Sequence, residues 1–316
     1  MENSTSKRRN FMAQVTAGVA GAGLAACGGG GTANAGGTGS KPTFVLIHGG
    51  WSPATVWSEM VRLLGEQGYP ALALDMPGHG LTARIPASYT AIPQSPAAIA
   101  AEVSPLAALT LNDYRDTVLK VIRGLTKDGS GPVVLVGHSS GGAVISAVAE
   151  VEPSLIKRLV YVTAFVPVKL PTLLDYLQAP NFATSQVPPL FAADPNVVGA
   201  ARINFIASKA AAKSAFCADL SDAAFSALSH MLTPDEPIQA LTTKVLPSLA
   251  RWGSVPRAYI RCTQDQAIPL VMQDQMISEA DAFSPTNKFV QKSLPDSHFP
   301  LLSNTLGLLD HLIALS

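Results

Sequence analysis

Short apolar runs recur along the chain, each closed by glycine, proline or a polar turn, with helically spaced stretches between them. Thr43-Phe44-Val45-Leu46-Ile47 is the first, ended by His48-Gly49-Gly50. From about Thr55 to Glu66, the residues Val56, Met60, Val61 and Leu64 fall on one side of a helix. Ala71–Leu74 is a second run, closed by Asp75-Met76-Pro77-Gly78-His79-Gly80, and Val133–Val136 is a third that leads directly into Gly137. Leu159–Val162, Ala258–Ile260 and Phe289–Val290 follow. A strand with one face in water alternates apolar and polar residues, and these do not. These six runs, interleaved with helices, predict an α/β fold with a parallel sheet flanked by helices on both faces. Right-handed crossovers put every strand C-terminus at one edge, and that edge is where chemistry is to be sought.

Two regions break the alternation. Residues 84–110 are rich in Ala, Pro and Ser, with Pro86, Pro93, Pro96 and Pro105, and read as a long excursion over the active edge. Residues 165–239 hold several helical stretches and no strand of the main sheet, which predicts a helical cap inserted into a core made of 43–164 and 240–316.

Residues 1–42 do not have the pattern of folded elements. Ser6-Lys7-Arg8-Arg9-Asn10-Phe11-Met12 looks like a twin-arginine export signal, and the Ala/Gly-rich run from Ala13 to Ala26 is too short and mild to span a membrane. Leu24-Ala25-Ala26-Cys27 resembles the lipobox of bacterial lipoproteins, which are cut before a cysteine that then carries lipid. The resemblance implies an export signal over 1–26, lipidation at Cys27 and a flexible tether over 27–42. The protein would then be exported to the bacterial cell envelope, periplasmic or on the cell surface, touching the membrane only through a lipid anchor.

Composition narrows the function classes. Of 316 residues, 47% are hydrophobic and 14% charged, enough for a sizeable core. The formal net charge is zero, without the basic excess that nucleic-acid binding leaves. Three cysteines, Cys27, Cys217 and Cys262, form no metal-ligand spacing, so no metal is expected. Cys217 and Cys262 read as small buried apolar residues, with a disulfide between them left open.

Gly137-His138-Ser139-Ser140-Gly141 matches G-x-S-x-G between a buried strand and an apolar helix starting near Gly142. The turn is too sharp for side chains at the flanking positions, and it lifts the serine oxygen clear of the sheet. Ser139 is the candidate nucleophile. Ser140 is its rival, but two residues before Ser140 stands His138, too bulky for the tight side of the turn. Attack on a carbonyl builds negative charge on oxygen, and backbone N–H donors must face it. The candidates are the N–H of Ser140 and that of Gly50, with Trp51 the nearest alternative to Gly50. Gly49, Trp51, His138 and Phe299 are the expected pocket residues around them.

Six histidines compete for general base. His48 and His138 belong to loops they are expected to brace, His79 to a turn, His230 to the cap and His311 to the last helix. His298 follows the last strand, where the chain order Ser, acid, His puts the base. Asp265, just after the fifth run, is the candidate acid. Asp274 and Asp281 fall in a helical region, and Asp296 is too close to His298 in sequence.

These residues resemble the plant methyl-esterase and hydroxynitrile-lyase branch of the α/β-hydrolases, with its bacterial relatives that include pyrethroid esterases. The likeness covers most of 43–316. It rests on Phe44 to Gly50, Trp57, Gly137 to Gly142, Cys262-Thr263-x-Asp265-x-x-Ile268-Pro269 and Ser297-His298-Phe299. It implies an α/β-hydrolase fold, a six-stranded, mainly parallel core with a helical cap, no cofactor, and hydrolysis of carboxylic esters through an acyl-enzyme, while the mainly apolar cap suggests small, hydrophobic substrates. Lyase members carry threonine at the position of Gly50 and lysine right after the histidine, where this chain has Phe299. That favours esterase over lyase. Amide hydrolysis and other cofactor-free carbonyl chemistry are rivals, while a dehalogenase would present aspartate at position 139. The non-enzyme alternative is a ligand-binding lipoprotein that retains the triad.

Overall fold

The computed structural model describes residues 41–127, 129 and 131–316. The expected export signal, Cys27 and the tether through residue 40 lie outside the described residues. The main sheet has six strands in the order β2-β1-β3-β4-β7-β8, all parallel where paired. They are β1 Phe44–Ile47, β2 Ala71–Leu74, β3 Val133–Ser139, β4 Ile156–Ala164, β7 Arg257–Cys262 and β8 Val290–Leu294. Two three-residue strands lie between β4 and β7, β5 Ala200–Arg202 and β6 Asp235–Pro237, paired antiparallel with Ala201 opposite Glu236.

Strand periodicity divides the core into two layers. Val45, Ile47, Leu135, Leu159, Tyr161 and Tyr259 face one side, packed by the helices Leu111–Lys127, Gly141–Val151 and Leu270–Phe283. Phe44, Leu46, Val134, Val136, Val160, Val162 and Ile260 face the other, against Ser58–Glu66 and Thr305–Ala314. Both faces are dry, so successive residues of each central strand are apolar.

The chain runs outward from β1 to β2, then returns past β1 to place β3 on its other side. The loops leaving β1 and β3 therefore diverge at neighbouring strand ends, the crevice where ligands bind in such sheets. His48 to Trp51 leave β1 there, and Ser139 and Ser140 end β3.

Residues between β4 and β7 contribute none of the six strands, but they do build the small β5–β6 sheet beside short helices. Residues 84–110 depart from expectation. None of them lines the main cavity at the strand ends. They pack against the insertion, where the fully buried Arg202 guanidinium donates to the carbonyls of Ile99 at 2.6 Å and Glu102 at 2.8 Å. The proline-rich stretch is thus tied to β5 and does not roof the site. Cys217 and Cys262 are both buried free thiols. Among the described residues, no helix is long and apolar enough to cross a membrane.

Candidate active site

Ser139 sits on a turn so tight that a Cβ on Gly137 would meet the Gly141 carbonyl oxygen at 2.6 Å. Its own φ is +54°, left-handed backbone that a residue with a side chain adopts only under constraint. The helix Gly141–Val151 begins two residues later. Only three non-glycine described residues have positive φ: Trp51, Ser139 and Thr163. All three border this site.

His298 is buried in the loop after β8, and its Nδ1–H donates to Asp265 Oδ2 at 2.7 Å. That bond fixes the tautomer and leaves Nε2 as the ring's acceptor. Asp265 is buried and well supplied with donors. Its Oδ1 accepts the N–H groups of Ala267 at 2.7 Å and Ile268 at 2.9 Å, and its Oδ2 also accepts the Thr163 hydroxyl. Ser139 and His298 line the same cavity. No hydrogen bond joins the Ser139 hydroxyl to the imidazole among the described residues, and in enzymes without ligand such bonds are often long. Asp274 and Asp296 have other partners, Arg261 and Asn304, at 2.8 Å each. Asp281 accepts the Phe289 N–H at 2.8 Å.

The neighbouring histidines brace loops. His48 donates from Nδ1 to the Gly49 carbonyl at 2.8 Å and accepts the Met76 N–H on Nε2 at 3.0 Å. Burial, helped by nearby His79, pushes its pKa down to about 3, so the ring is neutral. His138 donates from Nε2 to the His298 carbonyl at 2.8 Å and is held well below the ordinary histidine range, first by burial and then by His298.

The cavity is about 370 Å³, within the usual size for small-molecule sites. Phe165, Leu173, Leu177, Phe182, Phe191 and Leu241 make much of an apolar wall, while Gly50, Trp51, Ser139, Ser140 and His298 line the same cavity. His138 and Phe299 do not line this cavity. They border a smaller recess beside it, with Trp51, Ser139 and His298. Gly49, expected in the pocket, lines neither space because it is packed against Ser139, where a Cβ would lie 2.6 Å from Ser139 Cβ.

At the candidate oxyanion loop, the Trp51 N–H is directed to Glu236 Oε2 at 3.3 Å. Among the described residues, the N–H groups of Gly50 and Ser140 donate to no protein acceptor. Glu236 is a buried carboxylate on the cavity wall. His79 Nε2 lies 3.1 Å from its Oε2, though off the line of a good hydrogen bond. Burial lowers the His79 pKa, but the Glu236 carboxylate, with smaller help from the Pro77 carbonyl and Asp75, reverses this, and the net direction is up. On the other side, Asp219 accepts the Ser297 N–H at 2.8 Å and also its hydroxyl, fixing the residue before His298. Thr163, Asp219 and Glu236 had no sequence signal, since each lies far along the chain from the residue it holds.

A model described as the Alpha/beta hydrolase family matches residues 44–309. The chain is 27% identical over 299 residues to methylesterase 2 of Arabidopsis thaliana, covering 87% of this chain and 96% of that protein. It is 26% identical over 255 residues to polyneuridine aldehyde esterase of Rauvolfia serpentina, covering 76% and 84%. It spans only 61% of putative methylesterase 11, chloroplastic, of Arabidopsis thaliana, at 27% identity over 277 residues and 84% of this chain. A pyrethroid hydrolase from Sphingobium faniae JZ-2 superposes with a TM-score of 0.67 at 22% identity, covering 87% of this chain and 96% of the other. The structure of polyneuridine aldehyde esterase gives 0.63 at 22% identity, covering 87% and 99%.

Proposed function

The chain belongs to the alpha/beta hydrolase family, and from that premise we propose that it hydrolyses carboxylic esters of small, largely apolar molecules through an acyl-enzyme. The observation that carries this reading is the His298–Asp265 pair, whose free Nε2 shares a cavity with the strained Ser139 at the sheet's crevice. Relatives named as methylesterases and an aldehyde esterase support ester chemistry.

In this mechanism His298 Nε2 takes the Ser139 proton as Oγ attacks the ester carbonyl carbon. The imidazolium is stabilised by Asp265, whose four donors keep its carboxylate fixed. The N–H groups of Gly50 and Ser140 receive the oxyanion, each such donor typically contributing about 3 kcal/mol. The intermediate collapses, the carbonyl–oxygen bond to the alcohol breaks, and His298 returns the proton to the leaving alcohol. Water, deprotonated by His298, then attacks the acyl carbonyl; the bond to Ser139 Oγ breaks, His298 returns the proton to Oγ, and the acid leaves. The apolar wall favours uncharged acyl or alcohol groups. Phe299, where lyases of this resemblance place lysine, offers no charge for a cyanide leaving group.

The test compares wild type with Ser139→Ala on a panel of short activated esters. The loss expected is about a thousand-fold or more. Equal rates, or no turnover by folded wild type, would sink the esterase reading. Envelope anchoring through Cys27 is proposed from the sequence of residues 6–27 alone. Wild type recovered in the membrane fraction and Cys27→Ala released from it would support it, and identical fractionation would refute it.

A further inference from the structure

We propose that Glu236, on β6 of the insertion, is a positioning residue for ester attack, holding the Gly50–Trp51 loop in the conformation that presents the Gly50 N–H to the oxyanion. The proposal rests on the esterase reading.

Trp51 has φ +61°, a conformation that a bulky residue keeps only where its surroundings over-determine it. The over-determination comes from two short stretches of the insertion, at Ala201 and from Thr233 to Glu236. The Trp51 N–H donates to Glu236 Oε2 at 3.3 Å. Its carbonyl accepts the Thr233 N–H at 2.8 Å and the Thr233 hydroxyl at 3.1 Å. Its indole Nε1–H donates to the Ala201 carbonyl at 2.8 Å. Every one of these partners lies in or next to the β5–β6 pair, where Ala201 stands opposite Glu236.

The carboxylate also covers the residue before Trp51. A Cβ on Gly50 would lie 3.4 Å from Glu236 Oε2 and 3.5 Å from its Cγ. The side chain therefore lies directly against Gly50, in ordinary contact with any atom there. Drawing the Trp51 N–H to Glu236 removes it from competition, so that of the two adjacent donors Gly50 remains for the oxyanion. Glu236 is itself confined by His79 at 3.1 Å and by strand pairing. The insertion is thus part of the device that aligns the oxyanion loop.

Positioning makes a separate forecast from simple packing. A loop that has lost its anchor should bind ground-state substrate as before and stabilise the tetrahedral state less. Glu236→Leu is expected to lower kcat about tenfold to thirtyfold with KM within threefold. Glu236→Gln keeps an acceptor for the Trp51 N–H and should recover kcat to within about threefold of wild type. The inhibition constant of an arylboronic acid, which forms a tetrahedral anion on Ser139, should weaken in step with kcat/KM. Thr233→Val removes one bond to the Trp51 carbonyl without touching the carboxylate. It should lower kcat about fivefold to tenfold with KM within threefold, and if Glu236→Leu does not fold, a Thr233→Val kcat within threefold of wild type overturns the proposal.

Folded Glu236→Leu with kcat within threefold of wild type would overturn the proposal. So would Glu236→Gln no better than Glu236→Leu, or boronate affinity unchanged while kcat falls. Wild type lacking Ser139-dependent turnover is a different result, since it removes the esterase reading itself.

Discussion

Adding one methyl group against the nucleophile should cost far more activity than stability. In Gly49→Ala the new Cβ would lie 2.6 Å from Ser139 Cβ, 3.0 Å from His138 Nδ1 and 3.2 Å from Ser139 Oγ. The backbone at Gly49 is not left-handed, so alanine is excluded only by contact. Ordinary carbon–carbon contact is about 3.5 Å, so the two groups must separate by about 0.9 Å. Neither can yield by swinging a flexible tip, since each Cβ is attached to backbone, one in the loop after β1 and the other in the strained turn. The displacement therefore separates Ser139 from the Gly50 N–H. Misplacing reacting groups by about 1 Å costs on the order of a hundredfold in rate, while overpacking costs about 1–3 kcal/mol. The assay is kcat on an activated ester alongside a urea melt. Gly65→Ala is the control, since nothing lies within 4 Å of its Cβ on the helix Ser58–Glu66. It should leave kcat unchanged and add about 0.4–1 kcal/mol of stability. If folded Gly49→Ala keeps kcat within threefold of wild type, the turn absorbs the clash without moving reacting atoms and the reasoning fails.

Other consequences concern stability. Arg202 and Asp235 are wholly buried and paired through Nε at 2.6 Å and Nη2 at 2.7 Å. Arg202→Met leaves a buried carboxylate alone and should cost about 3–5 kcal/mol in urea unfolding. Arg202→Met with Asp235→Leu should recover at least half of that, and a double variant no better than the single would refute the charge argument. The buried His48 sets a pH dependence. Its folded pKa of about 3 lies below the unfolded value of 6.5, so the unfolded chain binds more protons between them. Stability is full above the unfolded value and falls as pH drops through the window, by about 1.5 kcal/mol from this ring between pH 6.5 and 5. Because His79 shifts the opposite way, the test compares wild type with His48→Gln: the gap between their urea midpoints should narrow as pH falls over that range, and a constant gap would contradict the claim.

Burial decided which elements were legible. Apolar runs marked the strands covered on both faces, including β1 and β3, because nothing along them needs to be polar. β8 was only half visible. Phe289–Val290 announced it, but Gln291, Lys292 and Ser293 lie on the sheet's edge and carry no apolar signal. β5 and β6 were invisible, each three residues long and carrying Arg202, Asp235 and Glu236, charges that read as solvent-facing. Those charges are buried because they meet partners far away in the chain, which no local pattern records. The site divides the same way. Ser139, Asp265 and His298 stand at turns with a local grammar of glycine, proline and strand ends. Thr163 is 102 residues from Asp265, Asp219 is 78 from Ser297, and Glu236 is 185 from Trp51.

The three residues with left-handed backbone explain why those distant partners matter. Trp51, Ser139 and Thr163 each bear strain of about 1–3 kcal/mol, together a large share of the 5–15 kcal/mol that holds a typical protein folded. Each is restrained by bonds from another element: Trp51 by β6, Ser139 by the Phe165 N–H on its carbonyl at 3.0 Å, Thr163 by Asp265. If strain is stored at Ser139, removing its side chain releases it only when Cβ goes too. Ser139→Ala keeps Cβ at φ +54° and keeps the cost, whereas Ser139→Gly is free of it. Glycine also loosens the unfolded chain, which offsets about 0.4–1 kcal/mol. The net expectation is that Ser139→Gly is more stable than Ser139→Ala by about 1 kcal/mol, with both expected to lack turnover. Elsewhere in a fold the same exchange destabilises, so the sign alone is diagnostic. A Ser139→Gly protein that melts at or below Ser139→Ala would mean that the turn is relaxed, and that the serine is raised by packing without backbone strain.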